Sequence, residues 1–177
     1  MRSLLTSSVG TLIFVLFVGP GPVIGLVPWL LSRWRVSDPI LGLPYERAMG
    51  LVIFLAGLPI LLEALVRFVH DGRGTPAPVM PPERLVVTGL YRYVRNPMYV
   101  GVVAMIAGQG LFFGSRAILI YAACAALAFH LFVVLYEEPA LASRFGASYA
   151  EYCRHVRRWL PRVHPWVANH ASSPFKN

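Results

Sequence analysis

Acidic residues are scarce in this chain, lysine is nearly absent, and cysteine occurs only twice. Eight Asp and Glu stand against sixteen Lys and Arg, giving a formal net charge of +8. All but one of the cationic residues are arginine. Cys124 and Cys153 are too few and too differently placed for a disulfide framework, and neither has the neighbours a metal ion needs. A basic balance invites a nucleic-acid reading. No basic helix or zinc-ligand spacing supports one, and the arginines flank apolar segments instead. Anionic lipid headgroups are the better counter-charge.

Charge of either sign makes up only 14% of the 177 residues, whereas 56% are hydrophobic and the mean hydropathy is +0.60. That composition excludes an ordinary soluble domain and places the chain in the membrane class. Crossing the hydrocarbon takes roughly 20 apolar residues as a helix. Four stretches come close: Leu4 to Leu31, Ala48 to Val69, Met98 to Phe113 and Ala117 to Tyr136. The expected fold is therefore all-α, a bundle of about four transmembrane helices with an amphipathic helix after it. It forms a single membrane domain: an N-terminal two-helix segment (1–69), a loop (70–97), a hairpin with a tail helix (98–161) and a short tail (162–177). Met1-Arg2 before an apolar run also fits a signal peptide cut near Gly19. Against it, the apolar pattern resumes at Val23, and Gly19-Pro20-Gly21-Pro22 reads as a kink in a membrane helix.

Arginine placement predicts topology. The loop after the second stretch holds Arg73, Arg84, Arg92 and Arg95, and the tail holds Arg144, Arg154, Arg157, Arg158 and Arg162. The other side has Arg33, Arg35, Arg47 and Arg116. By the positive-inside rule both termini and the middle loop face the cytoplasm, in an inner or an endomembrane.

Within the loop, Asp71 to Pro82 is too rich in Gly and Pro for a helix. Leu85 to Thr88 then offers a brief extended stretch, and Pro97 suits the first turn of a helix, where its missing N–H costs nothing. Gly101, Ala104 and Gly108 share one face of that helix, and Ala122, Ala123, Ala125 and Ala126 answer in the next, predicting a closely packed hairpin. Glu63 and Arg67, four apart, can neutralise one another, and His130 reads as a hydrogen-bonded interior residue. After Glu138, Leu141, Phe145, Tyr149, Tyr152 and Val156 recur at steps of three or four among charges, an amphipathic helix weakened at Gly146 and ended by Pro161. Trp159 and Trp166 are the expected anchors at the membrane surface.

Two charged strings remain, each at the mouth of an apolar helix. The first is Gly89-Leu90-Tyr91-Arg92-Tyr93-Val94-Arg95-Asn96-Pro97-Met98-Tyr99-Val100-Gly101. The second opens with Glu137-Glu138 and continues through Leu141, Phe145-Gly146, Tyr149, Tyr152, Val156, Arg158 and Pro161. Acidic charge at that depth needs partners, and the arginines of the first string can supply them. Together the strings resemble the R-H-P-x-Y-x-G or N-P-M-Y-x-G signature and the E-E-x-x-L-x-x-x-F-G-x-x-Y tail of integral-membrane methyltransferases, the isoprenylcysteine carboxyl methyltransferase and phospholipid N-methyltransferase group. The similarity covers roughly Thr88 to Pro161. Asn96 replaces the histidine of the carboxyl methyltransferase form and moves the match toward the phospholipid type.

That resemblance implies S-adenosylmethionine as donor, held at the mouths of the last membrane helices, with a lipid or other lipophilic acceptor arriving from the bilayer. Cofactor-binding candidates are Tyr91, Arg95, Asn96, Pro97, Tyr99, Gly101, Glu137, Glu138, Tyr149 and Tyr152. The chemistry suits these types: a carboxylate accepts from a ribose diol, arginine clamps a carboxylate in bidentate fashion, and an aromatic face attracts a sulfonium. Arg95, Glu138 and His155 are the catalytic candidates, His155 or a glutamate serving as base if the acceptor is an ammonium group. Two other readings use the same residues. Sterol reductases have a similar acidic cluster and a Tyr-x-x-Tyr-Cys run like Tyr149 to Cys153, which would imply NADPH. A non-catalytic membrane protein is the third.

Overall fold

A computed structural model describes residues 20–72 and 85–167, and every regular element among them is helical. The head of the first apolar stretch and most of the Gly/Pro-rich loop, with Arg73 and Arg84, lie outside the described residues. Helix α1 (Pro22–Ser32) starts with a π-turn and contains Pro28. Proline has no N–H to give the carbonyls of the preceding turn, and in an apolar bundle those carbonyls need other donors. Gln109 Nε2 donates to the Ile24 carbonyl at 2.9 Å and the Tyr121 hydroxyl to the Val23 carbonyl at 3.1 Å.

Helices α2 (Glu46–Gly72) and α3 (Pro97–Phe113) form the central antiparallel pair. Gly50 and Gly57 on α2 face Gly108 and Gly101 on α3, with backbones so close that a Cβ on Gly50 would lie 2.6 Å from the Gly108 carbonyl oxygen. This corrects the expected hairpin packing. The small-residue face of α3 is spent on α2, because α2 carries glycines at the same seven-residue spacing. Helix α4 (Arg116–Phe132) packs on the bundle through Ile118, Ala122 and Ala125 instead. Between α3 and α4, Gly114 caps the turn at φ +66°, a conformation open to glycine. The Ser115 side chain accepts from the Ile118 amide as an N-cap.

Two helices, Glu46–Arg67 and Arg116–His155, are long and apolar enough to cross a membrane, at mean hydropathies of 2.4 and 2.5. The shorter α3, 17 residues, spans about 25 Å at 1.5 Å per residue. Leu51, Val52, Leu55, Leu62 and Val66 on α2 and Ile120, Leu127 and Leu131 on α4 stand exposed. Apolar surface on that scale marks a membrane or partner face.

Beyond Phe132 the fourth helix passes through a π-turn (Val133–Glu137) into α5 (Glu138–His155), which breaks at Gly146 (φ 51°, ψ −123°) where the sequence foretold a weak point. Helix α5 ends at His155, six residues short of Pro161, because Val156 turns extended and buries itself. The following segment runs back over the loop before α3: Arg95 N–H donates to the Arg157 carbonyl (2.9 Å), Arg162 N–H to Tyr93 (2.9 Å) and Trp166 N–H to Arg92 (3.0 Å). Trp166 is consequently buried with Tyr149, Tyr152 and Val156. Trp159 is tied to His130 by a 3.0 Å hydrogen bond. Neither tryptophan is the free surface anchor that the sequence suggested.

Candidate active site at the helix mouths

The site grows from the turn that delivers the chain into α3. A 3-10 turn, Gly89–Arg92, is pinned to α2 by Glu63, whose carboxylate accepts from Leu90 N–H at 3.4 Å and pairs with Arg67 at 3.1 Å. Gly89 sits at φ +53°, and any Cβ there would strike that carboxylate. Pro97 opens α3, and the two residues before it, Arg95 and Asn96, are thereby aimed at the tail. Asn96 is buried and its side-chain amide donates to the Arg158 carbonyl at 3.2 Å, so it fastens the tail.

Arg95 Nη1 donates to Glu138 Oε1 at 3.0 Å and to Cys153 Sγ at 2.9 Å. Arg158 reaches the same carboxylate in bidentate fashion, Nε to Oε1 at 2.7 Å and Nη2 to Oε2 at 2.8 Å. Such forked pairs are the stronger class of charge-assisted hydrogen bond. Arg95 Nε is buried without a partner. Glu138 opens α5, outside the spanning part of the long helix. Burial pushes its carboxyl up, but the Arg158 hydrogen bond and the charges of Arg95 and Arg158 outweigh that and hold it below the usual range.

Glu137 belongs to a second, aromatic cluster. The Tyr99 hydroxyl donates to Glu137 Oε2 at 3.1 Å, the Tyr99 ring stacks on Phe129 at 4.8 Å, and Trp159 approaches its edge at 6.5 Å. Adjacent residues of an α-helix point about 100° apart, so neighbouring glutamates serve two clusters side by side. The π-turn that ends at Glu137 sets the rotation of the helix at this point.

The structure thus brings Arg95, Tyr99, Glu137 and Glu138 together, with Tyr149 joined through Cys153. Tyr91 and Tyr152 form the frame: the Tyr152 hydroxyl donates to the Tyr91 carbonyl at 2.6 Å, and burial pushes both phenols well above their ordinary range. Gly101 lies in the seam with α2, against Gly57 and Leu61. His155 is exposed at the end of α5, in contact with Glu151 and stacked on Trp166 at 5.7 Å. Arg158, Cys153, Phe129, His130 and Trp159 join the site without having been singled out for it. Arg158 carried a signal as the arginine three before Pro161 in the tail string, Cys153 as the end of the Tyr-x-x-Tyr-Cys run, and His130 as an interior residue in need of a hydrogen bond.

A helical membrane protein with a charged and aromatic site where two helices meet the water is the class that fold and site define. The sequence matches the phospholipid methyltransferase family over residues 45–148, more than half of the chain, and the chain belongs to that family. The family is one of methyltransferases acting on lipid-related substrates. No curated protein matches the chain.

Proposed function

We propose that the chain transfers a methyl group from S-adenosylmethionine to a lipophilic acceptor at the membrane boundary where its two motifs meet, a face that the arginine distribution assigns to the cytoplasm. The observation that carries this reading is the joining of Arg95 and Arg158 on Glu138 across 43 and 20 residues of sequence, with Tyr99 and Glu137 alongside. The residues fit such a donor. Arg95 has a buried Nε without a partner, and Glu138, with three hydrogen bonds, retains acceptor capacity, since a carboxylate offers about four lone-pair positions.

When bound, the donor supplies an electrophilic methyl group on a sulfonium sulfur. Arg95 and Arg158 offer positive charge to a carboxylate, Glu138 accepts from hydroxyls, and the Tyr99 face attracts a cation. Glu137, hydrogen-bonded to Tyr99, takes a proton if the acceptor is a headgroup amine; an isoprenoid-linked carboxylate or thiolate needs none. Alignment of the two reactants provides most of the acceleration.

Titration of the detergent-purified protein with S-adenosylmethionine tests the reading. Arg95→Ala and Glu138→Gln each lower donor affinity on the order of tenfold or more, the size of a lost charge-assisted hydrogen bond. Unchanged affinity in both variants overturns the site, and saturable NADPH binding without donor binding turns the assignment to a reductase.

A further inference from the structure

The tail segment that clamps the site has an outward side that the site does not use. Leu160, Val163 and Val167 are 63%, 87% and 62% exposed, although the same segment is fixed by backbone hydrogen bonds to Arg92 and Tyr93. His164 and a half-buried Arg162 stand between them, and Arg154 and Arg157 are exposed just before them. The segment lies level with the ends of the membrane helices, because Trp159 bonds to His130 on α4 and Arg157 to the residue two before α3.

We infer that residues 157–167 form a docking strap that seats on the anionic lipid surface of the membrane the chain spans, its apolar side chains entering the interface and Arg157, with the neighbouring Arg154, meeting phosphate. Depth and charge both favour lipid over a soluble partner. An apolar triad at the level of the helix mouths faces headgroups, and cations in that position gain from an anionic leaflet. Seating ties the strap to the bilayer and, through Arg92, Tyr93 and Arg95, stiffens the loop that carries the first motif. The inference does not depend on methyl transfer.

A photoreactive residue in place of the highly exposed Val163 tests it in the full chain, reconstituted into nanodiscs of phosphatidylglycerol and phosphatidylcholine at equal mole fractions. The expected adducts are lipids, with phosphatidylglycerol favoured about fivefold or more, as one or two interfacial arginines supply. Half-molar salt shrinks the preference, as does the double variant Arg154→Gln, Arg157→Gln. Equal labelling of the two lipids, adducts to a second copy of the chain, or no adduct at all overturns the inference.

Discussion

A single carboxylate, Glu138, holds two arginines from opposite ends of the motif region, and its chemistry sets the behaviour of the site with pH. Its folded-state carboxyl titrates below the usual range, so the stabilisation it brings is fully present above the ordinary carboxylate pKa and is lost as pH falls through the lower, folded value. Thermal unfolding in detergent should therefore show an acid-side loss of stability that is smaller in Glu138→Gln. Tyr152 makes a different contribution at the same scale: its buried hydroxyl ties α5 to the turn before α3. Tyr152→Phe leaves the Tyr91 carbonyl without that donor and costs about 1–3 kcal/mol, read as a lowered melting temperature. Glu137 and Glu138 were legible as residues in need of partners. Their division between an aromatic and a guanidinium cluster was not, because it depends on a π-turn that no residue in Val133 to Glu137 announces.

Between elements, the decisive contact is the glycine seam of α2 and α3. The seven-residue spacing of Gly101 and Gly108 spoke for close approach of backbones, and that much was legible. Small residues do not say which helix approaches, and the nearest neighbour in sequence, α4, was the natural but incorrect choice. Matching glycines at positions 50 and 57 hold the information, hidden in a stretch that reads as uniformly apolar. Gly57→Val places its Cβ about where the Gly101 carbonyl and the Met105 side chain stand, near 2.8 Å. Overpacking of this kind costs about 1–3 kcal/mol, whereas Gly25→Ala, with nothing within 4 Å, is mild; comparative melting in detergent checks both. The orphaned carbonyls of α1 show the same limit. Pro28 leaves them without a helical donor, and the donors they find, Gln109 and Tyr121, come from helices more than 80 residues away.

At the scale of the whole molecule, the fold stacks its polar chemistry at one end of an apolar bundle. The turn from Gly89, the mouth of α3, the Glu137-Glu138 pair and the returning tail all lie on that end, while Ser37, bonded to Phe113, marks the other. The all-helical class and the approximate bounds of α2, α3 and α4 followed from composition and run length, since both reflect the bilayer as solvent. The tail's return was not legible, because backbone pairing between residues 92–95 and 157–166 uses groups every residue carries. Charge now makes a prediction about the assembled molecule. Arg92, Arg95, Arg144, Arg154, Arg157, Arg158 and Arg162 sit on the motif end, against Arg33, Arg35, Arg47 and Arg116 on the opposite end. Several of the first set neutralise partners, yet the excess remains, and short flanking segments are where such an excess sets orientation. A fluorescent protein fused to the C-terminus should therefore glow from the cytoplasm while an alkaline phosphatase fused there stays inactive. The reverse pattern would put the motif end outside and reject the cytoplasmic assignment, leaving the geometry of the site unchanged.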